Sequence, residues 1–159
     1  MREMKRKDRE VTDFQELIKI IEHCDVIRLG LPDKDGVYVV PMNFGYEVCG
    51  DKLFFYLHSA SEGRKIDLMK NCPDIGFELD GKMEIRPADK ACSWGAAFES
   101  VIGTGHISFL ETAEEKQHAL TCLMKKYGYD GVPDFQPEKI KRIVVIKLEV
   151  QAMSGKRRE

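Results

Sequence analysis

The residues best suited to chemistry form one run, His58-Ser59-Ala60-Ser61-Glu62-Gly63-Arg64-Lys65, which follows an apolar, aromatic segment. The composition predicts a strand that ends as a helix begins. The first N–H groups of a helix lack internal partners and carry partial positive charge, so they favour a bound phosphate. Ser59 can donate a hydroxyl, and Gly63 lets the backbone approach a ligand. Arg64 offers a planar fork and Lys65 a point charge, so the run is typical of an anion site.

Two interpretations of this run stay open. It is an anion site, or it is an ordinary surface helix that is capped by Ser61 and carries two solvated cations. His58 stands where the strand changes into the helix. A histidine beside a cationic cluster is more typical of a cofactor contact than of an acid or base.

A second candidate site lies in the strand predicted over 37–48, which contains Pro41. Proline cannot donate to a strand ladder, so such a residue lies at a sheet edge or a bulge. A bulge would turn the backbone of Met42, Asn43 and Phe44 outward, where the Asn43 amide could pair with the edge of a flat heteroaromatic ring. An edge strand with nothing bound is the alternative.

The hydrophobic pattern predicts at least six strands and about three helices around these residues. Capping-box patterns open two helices, at Thr12-Asp13-Phe14-Gln15 and Thr112-Ala113-Glu114-Glu115, and a short third helix follows Gly63. The predicted strands cover 25–31, 37–48, 53–57, 74–80, 83–85, 94–110 and 143–150, with turns at 32–36, 49–52, Gly81-Lys82 and Pro137.

The order of these elements shows no βαβ alternation, and glycines at 103 and 105 interrupt the longest strand. Glycines inside a strand indicate bulging or barrel curvature. The sequence therefore predicts a mainly β fold, a small antiparallel β-barrel with peripheral helices.

The 159-residue chain has 43% hydrophobic and 33% charged residues and a net charge of −2, which is typical of one globular domain. This charge gives no electrostatic reason to expect nucleic acid or an anionic membrane as a partner. The N-terminal segment 1–10 is expected to be flexible or to contact a partner chain, and 154–159 to be a tail. No segment is apolar enough to suggest a bilayer span or secretion signal, so a cytoplasmic protein is expected.

The five cysteines are scattered, without C-x-x-C spacing, so no zinc site and no disulfide framework is predicted, and no metal ligands are assigned. The histidines at 23 and 118 are expected on the surface, and His106 at solvent or a dimer contact. Trp94 and Phe98 could line a substrate cavity, although packing in the core or a dimer is favoured.

Four segments together resemble the nitroimidazole-resistance (Nim) branch of the pyridoxamine 5′-phosphate oxidase-like flavoproteins. They are Arg2-Glu3-Met4-Lys5-Arg6-Lys7-Asp8-Arg9, Val40-Pro41-Met42-Asn43-Phe44-Gly45-Tyr46, Tyr56-Leu57-His58-Ser59-Ala60-Ser61-Glu62-Gly63-Arg64-Lys65-Ile66-Asp67 and Ser100-Val101-Ile102-Gly103-Thr104-Gly105. The resemblance implies a single FMN-binding split β-barrel domain over 1–159, working as a homodimer with two flavins at the subunit interface.

The resemblance also implies three groups of cofactor-binding residues. The phosphate would be held by Ser59, Arg64 and Lys65, with His58 near the ribityl chain or phosphate. The isoalloxazine ring would be lined by Pro41, Met42, Asn43 and Phe44. Ser100 and Val101 would approach the cofactor from the long strand. Glu99 stands where the family often has a basic residue, which argues against an anionic substrate contact there.

The function that this resemblance implies is an FMN-dependent oxidoreductase. It would pass electrons from NADH or NADPH to a small electron-poor acceptor, such as a nitro-heterocycle or quinone, and no catalytic side chain is assigned. The alternative is a non-catalytic flavin- or haem-binding module. Oxidation of pyridoxamine 5′-phosphate is less favoured, because the basic residues Lys156-Arg157-Arg158 are expected to lie in a frayed tail.

Overall fold

The computed structural model describes residues 4–159. The first three residues belong to the predicted flexible segment 1–10 and to the first family-like segment, and they lie outside the described residues. Within the described chain, the strands are β1 (Glu10–Val11), β2 (Ile27–Asp33), β3 (Gly36–Met42), β4 (Gly45–Cys49), β5 (Lys52–Ser59), β6 (Asp74–Arg86), β7 (Gly95–Leu110) and β8 (Val144–Arg158). The α-helices are α1 (Phe14–His23), α2 (Arg64–Asn71), α3 (Ala113–Lys126) and α4 (Pro137–Arg142).

The strands form one antiparallel sheet in the order β3-β2-β6-β7-β8-β5-β4, and β1 pairs with β8. The two ends of this order, β3 and β4, are consecutive in the chain but are not hydrogen-bonded neighbours, so the sheet is not closed. The predicted mainly β fold with peripheral helices is confirmed, and its arrangement is that of a split barrel.

The passage from β3 to β4 is the first departure from the prediction. A continuous strand over 37–48 is wrong, because the chain leaves the sheet at Asn43 and Phe44 and crosses from one edge to the other. Phe44 is fully buried in this crossing and packs edge-to-face on Phe55, whose ring in turn contacts Phe77. Burial of one aromatic ring therefore sets the point at which the strand breaks.

The Gly81-Lys82 hairpin is also wrong, because β6 continues through both residues. The register with β7 shifts between Asp80 and Met83, which indicates a bulge. The pairing partner β7 extends far enough to keep the second half of β6 in the sheet. The predicted bulging in the long strand is confirmed, since the β7–β8 register also shifts between Thr104 and Gly105.

The C-terminal residues differ most from expectation. The predicted tail is instead part of β8, and Lys156 pairs with Ser100 on one side and with Glu10 on the other. Two antiparallel neighbours satisfy the backbone of this basic segment, so its charge does not prevent strand formation.

Helix starts were predicted less well than helix positions. The box at Thr112 is present, but α1 is capped by Asp13, whose side chain accepts from the Glu16 N–H at 3.0 Å. Gly63, with φ 128°, occupies the cap position of α2 that was expected for Ser61. Pro137, for which a turn is predicted, is instead the first residue of α4. None of the described helices is both long and apolar enough to cross a membrane.

Candidate anion and cofactor site

Ser59 is the last residue of β5, and its hydroxyl is the clearest sign of a site. The residue is 7% exposed, and its Oγ has no hydrogen-bond partner among the described residues. A buried hydroxyl without a partner costs roughly 1–3 kcal/mol. Such a group in a folded protein calls for an explanation, and a bound ligand with an acceptor or donor oxygen provides one.

A cavity of ≈ 380 Å³ is lined in part by Ser59. Its wall includes His58 and Ser59 from β5 together with Lys139 and Arg142 from α4. The register brings these elements together, because Ser59 pairs with Val144, two residues after α4 ends. The cavity therefore combines a buried hydroxyl, a histidine and two cations, which is a suitable donor set for an anion.

The sequence pattern does not reveal Lys139 and Arg142, because it predicts only a turn at Pro137. A signal was present: proline is favoured at the first position of a helix, and the buried Ile140 follows it at helical spacing. The helix is only six residues long, so its hydrophobic pattern is too short to identify without that proline.

Arg64 and Lys65 lie at the start of α2, but Arg64 is directed elsewhere. Its guanidinium binds Asp33 through Nη2 at 2.6 Å and Nε at 3.0 Å, and it lies 4.5 Å from the centre of the Tyr38 ring. This hydrogen bonding lowers the pKa of the Asp33 carboxyl. Arg64 thus fastens α2 to the β2–β3 hairpin, whereas Lys65 is half-buried in the first helical turn.

Pro41 lies on the edge strand β3, opposite Arg28 of β2, and the register through this pair is continuous. Pro41 therefore lies at a sheet edge, and the predicted bulge is wrong; whether a ligand binds there stays a prediction. Met42, one residue later, is 9% exposed, and its side chain belongs to the core.

Asn43 and Phe44 are held by Tyr127, which follows the last residue of α3. The Asn43 Nδ2 and the Phe44 backbone N–H both donate to Tyr127 Oη at 3.2 Å, and that hydroxyl donates to the Asp25 carbonyl at 2.6 Å. Asn43 is exposed, but the Phe44 side chain is fully buried. A flat ring at this crossing would contact the Asn43 amide and the backbone, not the Phe44 ring.

Ser100 and Val101 lie in β7, far from Ser59 along the sheet. Ser100 is half-buried and Val101 fully buried. Ser100 pairs with Lys156 near the end of β8, whereas Ser59 pairs with Val144 at its start. These register points lie near opposite ends of the 15-residue strand, and the chain between them would run roughly 40 Å at the usual rise per residue.

Glu99, beside Ser100, is a buried carboxylate with two partners. It is 8% exposed, its Oε1 lies 2.6 Å from His23 Nδ1, and its Oε2 lies 3.5 Å from Arg157 Nε. An adjoining cavity of ≈ 380 Å³ is lined by these residues together with Arg86 and Arg158, among others. The C-terminal basic residues are thus ordered beside a cavity, so the reason for disfavouring pyridoxamine 5′-phosphate oxidation was wrong.

Trp94, His106 and His118 all lie at the surface of the described chain. Trp94 is 59% exposed and donates from Nε1 to the Ala88 carbonyl at 2.7 Å, so packing in the core of this chain is wrong for it. His106 is half-exposed and bonded to Asp74, and His118 is exposed and bonded to Glu47, as expected for surface residues. A dimer contact for Trp94 or His106 stays a prediction.

Comparison with known proteins identifies the family. Residues 13–157 match the family model described as pyridoxamine 5′-phosphate oxidase. The chain belongs to this family. None of the curated proteins compared with the chain matches it.

Solved structures agree with membership of the pyridoxamine 5′-phosphate oxidase family. A candidate 5-nitroimidazole antibiotic resistance protein of Bacteroides thetaiotaomicron is 32% identical, with a TM-score of 0.80, over 92% of this chain and 85% of that one. A NimC/NimA family protein of Clostridium acetobutylicum is 16% identical, with a TM-score of 0.55, over 89% and 81% of the two chains. An FAD and heme binding protein of Mycobacterium smegmatis is 13% identical, with a TM-score of 0.80, over 95% and 74%. The last two show the shared fold alone.

Proposed function

We propose that this chain is an FMN-dependent oxidoreductase that passes electrons from a reduced nicotinamide to a small electron-poor acceptor. The observation that carries the proposal is Ser59, whose buried hydroxyl has no partner among the described residues and which lines a cavity together with Lys139 and Arg142. Membership of the pyridoxamine 5′-phosphate oxidase family supports a flavin as the ligand of that cavity.

The phosphate of FMN fits the donors of this cavity. Ser59 would donate to one phosphate oxygen, and Lys139 and Arg142 would supply compensating charge. His58, which is exposed on the same wall, would contact the phosphate or ribityl chain. Lys65, in the first turn of α2, would add a further cation near the helix start.

We place the flavin ring at an interface between two copies of the chain. Ser100 and Val101 lie at the opposite end of β8 from the Ser59 cavity, so we assign their cofactor contact to the second copy. The ring would lie against Pro41, Met42, the Asn43 amide and the backbone of Phe44. We therefore propose a homodimer that acts on a small-molecule substrate as the working form of the protein, and we place it in the cytoplasm as a separate expectation.

Bound FMN would supply the redox chemistry, taking two electrons from NADH or NADPH and delivering them to an acceptor such as a nitro-heterocycle or quinone. The side chains of this protein would bind the flavin and orient its ring. The Asn43 amide is placed to hydrogen-bond the edge of a flat ring, and its own position is fixed by Tyr127. No described side chain is assigned as an acid or base.

The first experiment is the absorption spectrum of the purified protein, with mass identification of any molecule released on denaturation. We expect a flavin spectrum and released FMN, bleaching on addition of NADH or NADPH, and recovery of the colour on addition of a nitro-heterocycle or quinone. A protein that neither carries nor takes up FMN would contradict the proposal.

A charge-reversal variant tests whether the flavin phosphate binds in this cavity. Arg142→Glu should abolish retention of FMN. The matched control is Lys141→Glu, one residue earlier on the same helix, whose side chain is 73% exposed and lies 3.7 Å from Glu138. Loss of FMN in both variants, or in neither, would place the phosphate elsewhere.

A second candidate is a non-catalytic module that holds flavin or haem. The structural likeness to an FAD and heme binding protein favours retaining it. A bound flavin that is inert to NADH, NADPH and acceptors, or a haem spectrum, would identify the module. Oxidation of pyridoxamine 5′-phosphate is tested with the same preparation by assaying formation of the aldehyde product.

A further inference from the structure

A second cluster of reactive side chains lies away from the Ser59 cavity, where α3 packs on β4. Glu47 of β4 and His118 and Cys122 of α3 offer one carboxylate oxygen, one imidazole nitrogen and one thiol sulfur. These three atoms all lie within 4.8 Å of one another. We propose that this cluster is a binding site for a zinc ion, with three protein ligands and a water in the fourth position.

The two separations that involve the imidazole nitrogen are close to those of tetrahedral zinc. His118 Nε2 lies 3.0 Å from Glu47 Oε1 and 3.8 Å from Cys122 Sγ. Zinc bonds of their usual lengths, arranged tetrahedrally, place neighbouring ligand atoms roughly 3.3–3.7 Å apart. Small side-chain rotations would therefore bring all three atoms onto one ion.

The elements that carry the ligands are held unusually close. A Cβ on Gly45 would overlap the backbone of Leu123, so glycine at this position lets β4 approach α3 directly. His118 and Cys122 are four residues apart and project from one face of α3. Neither ligand position depends on a loop.

The carboxylate is also oriented by a neighbour. Tyr56, which is 6% exposed, donates its hydroxyl to Glu47 Oε2 at 2.8 Å, and its ring packs edge-to-face on the His118 ring at 5.9 Å. Partners of this kind fix the ligands of metal sites and contribute to their affinity. His118 is 54% exposed, so an ion can enter from solvent and a water can complete its coordination.

The ligand set indicates which metal would bind. Nitrogen, sulfur and oxygen donors together suit zinc, whereas all-oxygen sites suit magnesium or calcium. Binding would displace the Cys122 thiol proton to solvent. The ligands come from elements that lie 71 residues apart in the chain, which is why cysteine spacing alone does not show the site.

The test is a titration of the reduced, full-length protein with Zn²⁺ in competition with a chromophoric chelator. We expect one equivalent to bind, and at least about 100-fold weaker binding in both His118→Asn and Cys122→Ser, since lost outer partners alone cost 10–100-fold. The matched controls His106→Asn, which removes another histidine–carboxylate pair, and Cys92→Ser should bind as the wild type does.

Cobalt replaces zinc in a second measurement, whose first readout uses only the wild-type protein. Co²⁺ added to the wild-type protein should give visible tetrahedral bands and a thiolate-to-cobalt charge-transfer band, and the latter should be missing from Cys122→Ser. Absence of one-equivalent binding, binding unchanged by both ligand substitutions, or a cobalt complex without thiolate character would each overturn the assignment. Each spectrum is recorded as a difference against the same preparation without added metal, so that bound flavin is subtracted and the outcome does not depend on the proposed FMN site.

Discussion

Replacing Ser59 by alanine should have opposite effects on the stability of the FMN-free protein and on its affinity for FMN. Without a ligand, its buried hydroxyl is desolvated and has no partner in the described part of the chain, so Ser59→Ala should raise the free energy of unfolding of the FMN-free protein by about 1 kcal/mol. With FMN, the same variant loses one hydrogen bond to a charged phosphate, so affinity should fall about 10–100-fold. Urea denaturation and a flavin fluorescence titration measure the two effects.

Ser61→Ala serves as the control for Ser59→Ala, because Ser61 is exposed and does not cap α2. It should change neither quantity. A Ser59→Ala variant that is less stable when empty and binds FMN as tightly as the wild type would show that the hydroxyl has a structural role instead.

Glu16 links the acid stability of the protein to two cations. Hydrogen bonds from Arg157 at 2.8 Å and Lys19 at 2.6 Å lower the pKa of Glu16 from 4.5 to about 2. Because the folded pKa is depressed, its contribution to stability is present above pH 4.5 and is lost as the pH falls toward about 2.

We expect Glu16→Gln to remove part of the loss of stability over that acid range. Urea midpoints measured at several pH values would show a shallower acid slope for the variant, with a smaller effect for Lys19→Met. Parallel slopes for Glu16→Gln and the wild type would contradict the linkage.

At the scale of elements, contact between α3 and β4 depends on one missing side chain. Gly45→Ala would drive a Cβ into the Leu123 backbone, which cannot move without shifting the helix. We expect a loss of about 3 kcal/mol in the free energy of unfolding, at the upper end of overpacking effects. If the zinc site exists, the displaced helix should also bind zinc more weakly.

Gly30→Ala is the matched control, because Gly30 also lies in a strand but an added Cβ would be 3.5 Å from Val37. That distance is an ordinary contact, and alanine restricts the unfolded chain, so this variant should be neutral or more stable by about 0.5–1 kcal/mol. Equal losses in both variants would show that the close approach of α3 is not the cause.

The sequence patterns predicted which strands and helices exist better than they predicted where each one begins and ends. The alternation and apolar runs located most of the strands, because a half-buried strand must alternate. They failed at Asn43-Phe44, where a fully buried ring breaks the strand, and at Gly81-Lys82, where the partner strand continues. Both failures are decided by contacts with distant elements, which a local pattern does not contain.

For the whole molecule, the sequence pointed to Ser59 of the candidate anion site but not to the other side chains that line its cavity. The run ending at Lys65 includes Ser59, whereas the lysine and the arginine that line the same cavity both come from α4, far along the chain. Only the register between β5 and β8 brings them together. Similarly, the distance between Ser59 and Ser100 along β8 could not be known before the strand order was known.

That distance yields a prediction about the assembly. If each flavin uses the phosphate cavity of one copy and Ser100 of the other, then a chain with Lys139→Glu and Arg142→Glu and a chain with Ser100→Trp should each form homodimers that bind no FMN. A mixed dimer concentrates both defects in one site and leaves the other site intact. Co-expression with two affinity tags should therefore recover one FMN per mixed dimer, measured by flavin absorbance against protein mass. A site built within one chain would carry a defect in every copy, so a mixed dimer without FMN would contradict the shared arrangement.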